Sequence, residues 1–542
     1  MTTLTTGQAI VKSLLAHGVD TLFGIPGAHM YDFNDATYEY KDELNFIVTR
    51  HEQGAGYMAY GYAKSTGNVG TYTVVPGPGM LNSSAALCTA LGATTPVLCV
   101  TGNIMSHLIG KGRGQLHELP DQLATMRGFT KWAERINQPH EAPGVVAEAF
   151  RQLRSGRVGP VAIEAPWDVF GMKGDVDLDV PMDIPSPPEP DPDAITQAAD
   201  AIKNAKNPLI MVGGGALHAG EEVLELAKLL QAPVTAHRSG KGIVSEDSPY
   251  GMSFAAAYEY WKNTDVLIGI GSRLELQHFR WRWFPEGVKT VRIDIDPTEM
   301  DRLPPDVGVV ADSAPGARAL VEALSKQVHS RASREEEFEG IKARATEAIQ
   351  AVQPQMDYLN VIRDVLPRDG FFVEEISQVG FTSRFGFPVY EPRQFVTCGY
   401  QDNLGFGFNT ALGVKVANPD KPVVAVCGDG GFMFGVQELA TAVHHGINLV
   451  TIVFNNQAFG NVRRDQTNVY DGRLIGADLT NPDFVKLAES FGASAYRATN
   501  AKELRTALER AFKDDAPVVI EVMVERGSEV SPWSFIHPDI PA

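Results

Sequence analysis

An acidic residue and an amide residue each follow an apolar segment near the end of the chain. Asp429 lies in a glycine-rich turn after the run 422–427, and Asn456 follows the run 450–454. Both runs are short and β-branched, as buried strands are, and the segment 434–445 between them has helical apolar spacing. Parallel strands joined in this way end at one edge of a sheet, where α/β proteins hold ligands. Because Mg²⁺ accepts Asp and Asn oxygens while it keeps phosphate oxygens and water, the pair predicts a cation-bridged diphosphate site.

The composition is that of a globular protein with several domains. The chain has 542 residues, of which 44% are hydrophobic and 21% are charged. This length predicts two to four domains. The formal charge of −19 argues against a general nucleic-acid or anionic-membrane binder, although a local basic pocket could still receive an anion.

The sequence favours a cytoplasmic protein that does not span a membrane. Segment 1–18 has a helical pattern rather than a basic leader, and no apolar run reaches 18 residues. The cysteines lack metal-ligand spacing, and we predict that they are reduced core residues. They are Cys88, Cys99, Cys398 and Cys427.

The chain divides into three α/β blocks. The proline-rich segment 181–193 predicts an extended linker after a first domain at 1–180. A central domain is expected at 194–340 and a last domain, with a C-terminal tail, at 350–542. Each block alternates short apolar strands with helices, so the predicted fold class is α/β, with three doubly wound, mainly parallel sheets.

Glu52 lies at a second junction between a strand and a helix. It follows the predicted strand 46–49 and precedes a helix of small residues at 54–64. This places it at the carboxyl edge of a sheet, where it could take part in chemistry. The alternative is a helix N-terminal charge that complements the helix dipole.

The motifs resemble, in order, the thiamin diphosphate enzymes of the acetolactate synthase superfamily. The Gly-Asp-Gly turn with the paired asparagines is similar to their diphosphate signature, and the surroundings of Glu52 are similar to their pyrimidine-binding domain. The central block is similar to their central domain. The stretches that carry the resemblance are 19–27, 73–82, 95–102, 208–216, 240–242, 293–297, 428–430 and 455–456.

The resemblance implies roles for particular residues. Glu52 would hydrogen-bond N1′ of the cofactor's aminopyrimidine, and Leu404 would be the apolar wedge between the cofactor rings. The main-chain carbonyl of Asp402 would accept from the 4′-amino group; many relatives have Gly here, and the added carboxylate could affect substrate charge preference. The Mg²⁺ ligands would be Asp429, Asn456 and the main-chain oxygen of Ala458. Further implied cofactor contacts are Pro26, Gly77, Asn82, Gly428, Gly430, Gly431, Phe459 and Gly460.

The resemblance also implies an oligomer and a group of substrate-side residues. The two half-sites of the family meet across a subunit interface, so a homodimer or homotetramer is expected. The loop that contains Ala28 and His29 is similar to that of benzaldehyde lyase, where the histidine shuttles protons; the alternative is a solvated loop histidine. His117 is a second candidate catalytic residue. Gln115 is an alternative from the same loop.

The segment after Asn456 departs from true acetolactate synthases. Their usual Gly-Met at 460–461 and a Trp near Asp465 are missing. Arg463 and Arg464 are candidate anchors for a carboxylate or a coenzyme A phosphate, or they are surface charges on a helix. The tail at 531–538 either covers the pocket or packs on a surface.

The expected function is a C–C bond lyase or carboligase that acts on 2-keto acids, acyloins or related 2-hydroxy carbonyl compounds. One alternative is a 2-hydroxyacyl-CoA lyase or an oxalyl-CoA decarboxylase-like enzyme, with an acyl-CoA as substrate. Another is a flavin-using, pyruvate oxidase-like enzyme, since 213–215 is a weak nucleotide-loop signal for FAD or ADP. A third is a non-catalytic homologue, against which the joint presence of Glu52, Asp429 and Asn456 argues.

Overall fold

Three parallel six-stranded sheets organise the chain. The computed structural model describes residues 1–181, 183–328 and 331–540. Met182 of the predicted linker, residues 329–330 of the predicted central domain and residues 541–542 of the predicted last domain lie outside the described residues. Each sheet is covered by helices, so the predicted α/β class with three mainly parallel sheets is confirmed.

The first sheet has the strand order β3-β2-β4-β5-β7-β6, and a separate antiparallel ribbon pairs β1 with β8. The strands are β1 Thr2–Thr5, β2 Thr21–Gly24, β3 Asn45–Val48, β4 Gly70–Val74, β5 Val97–Asn103, β6 Trp132–Arg135, β7 Val161–Pro166 and β8 Lys173–Val176. The helices are α1 Thr6–Ala16, α2 Tyr31–Glu39, α3 Glu52–Thr66, α4 Pro78–Gly92, α5 Gln122–Arg127, α6 Ala142–Arg154 and α7 Trp167–Phe170.

The central sheet has the order β11-β10-β9-β12-β13-β14. Its strands are β9 Pro208–Val212, β10 Val234–Thr235, β11 Gly251–Met252, β12 Val266–Ile270, β13 Lys289–Asp294 and β14 Val307–Val310. Its helices are α8 Pro192–Ile202, α9 Gly220–Leu230, α10 Phe254–Trp261, α11 Thr298–Arg302 and α12 Ser313–Ser325, and α13 Glu335–Ile349 follows. Since α8 begins at Pro192, the end of the predicted linker forms its first turn. A π-helix spans Leu276–Trp281.

The third sheet has the order β16-β15-β17-β18-β20-β19. Its strands are β15 Phe371–Val373, β16 Phe395–Val396, β17 Val423–Gly428, β18 Val450–Asn455, β19 Ser494–Ala498 and β20 Val518–Met523. The helices are α14 Gln355–Val365, α15 Gln378–Gly386, α16 Gly407–Ala417, α17 Asp429–Phe432, α18 Leu439–His444, α19 Gly460–Val469, α20 Phe484–Phe491, α21 Ala501–Ala511 and α22 Trp533–Ile536. The helix predicted at 434–445 is shorter than expected, because a 3₁₀ turn at Val436–Glu438 precedes α18.

Helices α3 and α16 join the first and third domains through direct backbone contact. A Cβ added at Gly61 would lie 2.1 Å from the carbonyl oxygen of Thr410. A Cβ added at Gly413 would lie 1.9 Å from that of Met58. No side chain fits at either glycine, so the two helices approach more closely than ordinary helix packing allows. This contact sets the N-terminus of α3, where Glu52 lies, against the third domain.

The cysteines are free thiols, and one of them is not in the core. Cys99, Cys398 and Cys427 are buried, as predicted. Cys88 is exposed, so its prediction as a core residue is wrong; it lies on the outward side of α4. In the part of the chain that the structure describes, no helix has the length and apolarity to cross a membrane.

Candidate active site

Asp429 and Asn456 lie side by side at the carboxyl ends of two neighbouring strands. Strands β17 and β18 pair in parallel, with Gly428 opposite Phe454, so the residues that follow them meet at one edge. Asp429 is 2% exposed, and its Oδ2 accepts a hydrogen bond of 2.6 Å from Nδ2 of Asn481. Burial raises the pKa of the Asp429 carboxyl. No local sequence pattern indicates Asn481, which comes from a segment 52 residues away.

Asn456 is held by a carboxylate from the C-terminal segment. Its Nδ2 donates a hydrogen bond of 2.6 Å to Oε2 of Glu529, and its Oδ1 accepts one of 3.1 Å from the backbone N–H of Ala458. Burial raises the pKa of Glu529 to about 7, and the nearby Asp429 charge acts in the same direction. Glu529 is therefore a neighbour of this site that the sequence patterns did not indicate.

The chemistry of this edge fits a diphosphate with Mg²⁺. One carboxylate, one amide oxygen and the nearby backbone carbonyl of Ala458 are hard oxygen ligands of the kind that Mg²⁺ accepts. A Cβ at Gly430 would lie 2.4 Å from the Phe459 ring, so only glycine leaves room at this turn. Oε1 of Gln378, near Gly460, is buried without a hydrogen-bond partner in the described chain. Among the described residues, no cluster of three or more His, Cys, Asp or Glu side chains is placed to hold a metal.

Glu52 is the first residue of α3, and its carboxylate faces α4. Asn82 Nδ2 donates a hydrogen bond of 3.0 Å to Oε2 of Glu52. The preceding backbone N–H groups of Arg50 and His51 are occupied, because both donate to the carboxylate of Glu438 in the third domain. No sequence pattern indicates this contact, because Glu438 lies 388 residues from Arg50. It fixes the turn that presents Glu52.

His29 and His117 come together beside Gly77. Their ring centroids are 5.2 Å apart, and the Trp167 ring lies 4.7 Å from that of His29. The Nδ1 atoms of both histidines are buried and have no hydrogen-bond partner among the described residues. Burial lowers the pKa of His29, and the neighbouring His117 imidazole acts in the same direction, which favours the neutral ring. A Cβ at Gly77 would lie 2.5 Å from the His117 carbonyl oxygen.

The remaining substrate-side candidates differ in exposure. Ala28 is half-buried beside His29, whereas Pro26 and Gln115 are exposed. The Gln115 backbone N–H donates to Oε2 of Glu118 at 2.8 Å, which fixes the backbone of that loop.

The loop before α16 carries Asp402 and Leu404. Leu404 is half-buried, and the following Gly405 N–H donates a hydrogen bond of 2.6 Å to Oε1 of Glu375. The Asp402 carboxylate contacts Arg238, Arg280 and Arg384. Burial alone would raise the pKa of Asp402, but these guanidinium groups lower it to about 2.

Arg463 and Arg464 both lie on α19 and both have acidic partners. Arg463 Nε donates 2.8 Å to Asp478, and Arg464 Nη2 donates 2.6 Å to Asp465. The tail packs on this helix, because Trp533 Nε1 donates 2.6 Å to Oδ1 of Asn461. The tail therefore covers α19 next to the Asn456 turn.

The predicted site residues form two groups within the chain. The first-domain group contains Glu52, Asn82, Gly77 and the two histidines, and the third-domain group contains the Asp429 and Asn456 turns. No hydrogen bond between described residues joins a side chain of one group to a side chain of the other.

A separate cavity of about 570 Å³ lies mainly between the first and central domains, and Arg393, Gly399 and Tyr400 of the third domain also line it. The glycine-rich turn 213–215, Arg157, Arg273 and Asp294 contribute to its walls. His218 Nε2 and Asp312 Oδ1, which also line it, are 2.7 Å apart. The weak nucleotide-loop signal of the sequence therefore lies in the wall of a cavity.

A three-domain α/β chain with these two half-sites has the architecture of a thiamin diphosphate enzyme. Three family models match in succession: the N-terminal TPP binding domain of thiamine pyrophosphate enzymes over residues 4–125, their central domain over 195–322 and their C-terminal TPP binding domain over 375–522. TPP is thiamin diphosphate.

Full-length relatives agree with these matches. The chain is 32% identical to the probable 2-ketoarginine decarboxylase AruI of Pseudomonas aeruginosa, over 96% of this chain and 94% of that protein. It is 33% identical to a probable acetolactate synthase large subunit of Methanocaldococcus jannaschii, over 96% and 91%. It is 30% identical to the acetolactate synthase isozyme 2 large subunit of Escherichia coli, over 98% and 97%.

The chain belongs to the thiamine pyrophosphate enzyme family, in the superfamily that includes the acetolactate synthases. The prediction of a thiamin diphosphate-dependent enzyme of the decarboxylase or carboligase class is confirmed at that level.

Proposed function

We propose that this chain is a Mg²⁺- and thiamin diphosphate-dependent enzyme that cleaves or forms a C–C bond next to the carbonyl of a 2-keto acid, an acyloin or a related 2-hydroxy carbonyl compound. The observation that carries the proposal is the placement of Asp429 and Asn456 at adjoining strand ends, with Glu52 at the start of α3 as the complementary half-site. The names of relatives, which include acetolactate synthases and a 2-ketoarginine decarboxylase, support a 2-keto acid as the first substrate to test.

The protein residues have distinct tasks in this proposal. Asp429, Asn456 and the Ala458 carbonyl hold Mg²⁺, and the glycine turns approach the diphosphate. Glu52 would hold a proton at N1′ of the aminopyrimidine, and Leu404 would contact the coenzyme rings. When bound, the coenzyme supplies a carbon nucleophile and an electron sink for the bond that breaks.

His29 and His117 are the proposed proton-transfer groups on the substrate side. An imidazole with an unpartnered nitrogen could take a proton from a substrate hydroxyl and could later return it to the substrate. Arg463 and Arg464 are weaker candidates for substrate binding than the two histidines. Each arginine must leave its acidic partner before it can bind a substrate carboxylate.

We further propose a homodimer or homotetramer in which each coenzyme lies between the first domain of one subunit and the third domain of another. Exposed apolar side chains beside both half-sites support this arrangement: Leu81 next to Asn82 is 40% exposed, and Phe434 near the Asp429 turn is 50% exposed. Phe434 is next to Met433, which is 40% exposed, and adjoining exposed apolar groups favour an interaction surface. The four free thiols support placement in the cytoplasm.

The cavity beside the glycine-rich turn supports a second ligand in the central region. Its size and its mixture of arginines with acidic groups suit the phosphates and ribose of FAD, ADP or an acyl-CoA. Absorbance of the purified protein tests FAD, and calorimetry with ADP or coenzyme A tests the other two.

The function is tested by titrating purified protein with thiamin diphosphate, with and without Mg²⁺, in a calorimeter. The loaded protein is then offered keto acids, acyloins and hydroxyacyl-CoA esters, and the products are analysed by mass spectrometry. Saturable, Mg²⁺-dependent binding with turnover of a keto acid supports the proposal. Absence of coenzyme binding overturns it, and turnover of only the CoA esters favours the acyl-CoA alternative.

A further inference from the structure

The carboxylate of Asp402 lies among three arginines from two domains, which we call the arginine cage: Arg238, Arg280 and Arg384. Arg238 Nη1 and Arg384 Nη2 each donate a hydrogen bond of 2.7 Å to Oδ1, and Arg280 Nη2 donates one of 3.4 Å to Oδ2. Arg238 and Arg280 come from the central domain, whereas Arg384 is on α15. The side chain of Asp402 therefore ties the central domain to the third domain.

The arginine cage is buried, and neighbouring carboxylates balance its positive charge. Glu275 accepts hydrogen bonds from both central-domain arginines, and Glu374 accepts one of 2.9 Å from Nε of Arg384. Three carboxylates, those of Asp402, Glu275 and Glu374, thus face three guanidinium groups. Arg384 is fully buried, and a buried charge is tolerated only when it is paired in this way.

The loop that Asp402 begins is held from all three domains. The backbone of Asp402 is left-handed, with φ of 44° and ψ of 55°, a conformation that few residues other than glycine adopt. Asn403 contacts the first domain, because its Nδ2 donates to the Tyr57 hydroxyl and its Oδ1 accepts from Thr89 Oγ1 at 3.2 Å. The Gly405 N–H is bound within the third domain. Hydrogen bonds within the protein therefore fix the loop on both sides of Leu404.

We propose that Asp402 is a positioning residue, whose carboxylate, held by the arginine cage, fixes the loop that presents the Asp402 carbonyl and the Leu404 side chain to the coenzyme. The inference rests on the proposed function and adds that the central domain sets the geometry of the coenzyme site. The Asp402 carboxylate, which relatives with Gly at this position lack, would then have a structural role. Guanidinium groups occupy its oxygens, so it does not select a substrate by charge.

The test separates positioning from simple charge balance. Asp402→Gly removes the carboxylate with all three cage contacts and still adopts the left-handed conformation, whereas an amide here would keep the oxygen that accepts the two short contacts. The double variant Asp402→Gly with Arg280→Gln restores the balance of charges; it also removes the hydrogen bonds from Arg280 to Glu275, while Arg238 still pairs with Glu275. The readouts are the calorimetric affinity for thiamin diphosphate with Mg²⁺, the exchange rate of its C2 proton, and the melting temperature of the coenzyme-free protein.

If Asp402 positions the loop, both variants bind the coenzyme about tenfold or more weakly and exchange the C2 proton more slowly, as is usual when an outer group that orients a site is lost. The double variant also melts close to the wild-type temperature. Wild-type affinity and exchange in the double variant would overturn the inference, since charge balance would then be the whole role of Asp402. A wild-type protein that binds no coenzyme would instead overturn the proposed function.

Discussion

Asn82 Nδ2 lies 3.0 Å from Oε2 of Glu52 and donates a hydrogen bond to it across the gap between α4 and α3. The other oxygen, Oε1, lies 3.3 Å from the point where a Cβ on Gly79 would stand. No basic side chain pairs with Glu52 in the described part of the chain. One oxygen is therefore held by the protein, while the other has no hydrogen-bond partner among the described residues and can contact a ligand.

Replacement of Glu52 by Gln is expected to slow exchange of the coenzyme C2 proton by at least about tenfold, the scale of a lost general acid–base group. The amide keeps the shape and the contact with Asn82, so folding and coenzyme affinity should change little. Asn82→Ala, which removes only the orienting hydrogen bond, should have a smaller effect. The exchange rate is measured by NMR on the loaded protein. Exchange at the wild-type rate in the Gln variant would refute the role, and the exposed Glu43→Gln serves as control.

Loss of Asp429 is expected to remove the Mg²⁺ dependence of coenzyme binding. Asp429→Ala deletes the one charged oxygen donor of the proposed metal set, whereas Asn481→Ala deletes only the amide that holds it at 2.6 Å. The second change should weaken affinity by about tenfold, as outer-shell changes do, and the first by more. Calorimetric titrations with and without Mg²⁺ measure both effects. The exposed Asp420→Ala is the matched control, and a metal-dependent gain in affinity that survives in Asp429→Ala would exclude it as a ligand.

The parts of the site that could be predicted from sequence are those carried by local patterns. The ends of β17 and β18 and the start of α3 follow from short apolar runs and turns, so Asp429, Asn456 and Glu52 were found. Their partners could not be found, because they come from segments brought close only when the chain folds. Glu529, for example, lies 73 residues from Asn456, and nothing in its own neighbourhood indicates that contact.

Contacts of the central domain with the other domains are likewise not predictable from local sequence patterns. The sequence marks the glycine-rich turn at 213–215, but the cavity beside it has a second wall from the first domain. The contact of Asp402 with Arg238 and Arg280 spans 164 and 122 residues, respectively. Periodicity and spacing describe a strand or a helix, whereas packing between domains decides which charges meet.

His29→Ala is expected to impair bond formation or cleavage more than coenzyme binding. His29 is buried at 3% exposure, and its Nδ1 has no hydrogen-bond partner among the described residues, so its loss removes a proton-transfer group without breaking a bond at that nitrogen. A decrease in kcat of about a hundredfold is expected for such a group, with little change in coenzyme affinity. Steady-state kinetics and calorimetry on the same preparation separate the two effects. The exposed His107→Ala is the control, and wild-type turnover in His29→Ala would leave this histidine a structural role only.

Glu375 gives a prediction for stability against pH. Its carboxyl is fully buried, and its Oε1 accepts from the Gly405 N–H at 2.6 Å. Burial raises its pKa to about 7, against 4.5 for the ordinary group. Between these values the folded protein holds a proton that the unfolded chain has released. The contribution of Glu375 to stability is therefore fully present below about pH 4.5 and is lost as the pH rises through 7.

Glu375→Gln replaces the carboxyl by a neutral amide that can still accept from Gly405, so the variant should lack this pH dependence. At pH 8 it is expected to be more stable than the wild type by on the order of 1 to 3 kcal/mol, with the advantage disappearing near pH 5. Melting temperatures of the coenzyme-free proteins measured from pH 5 to 8 should show a difference of several degrees that grows with pH. The exposed Glu391→Gln controls for a general effect of removing one negative charge. A constant difference between wild type and Glu375→Gln across this range would show that Glu375 does not titrate there.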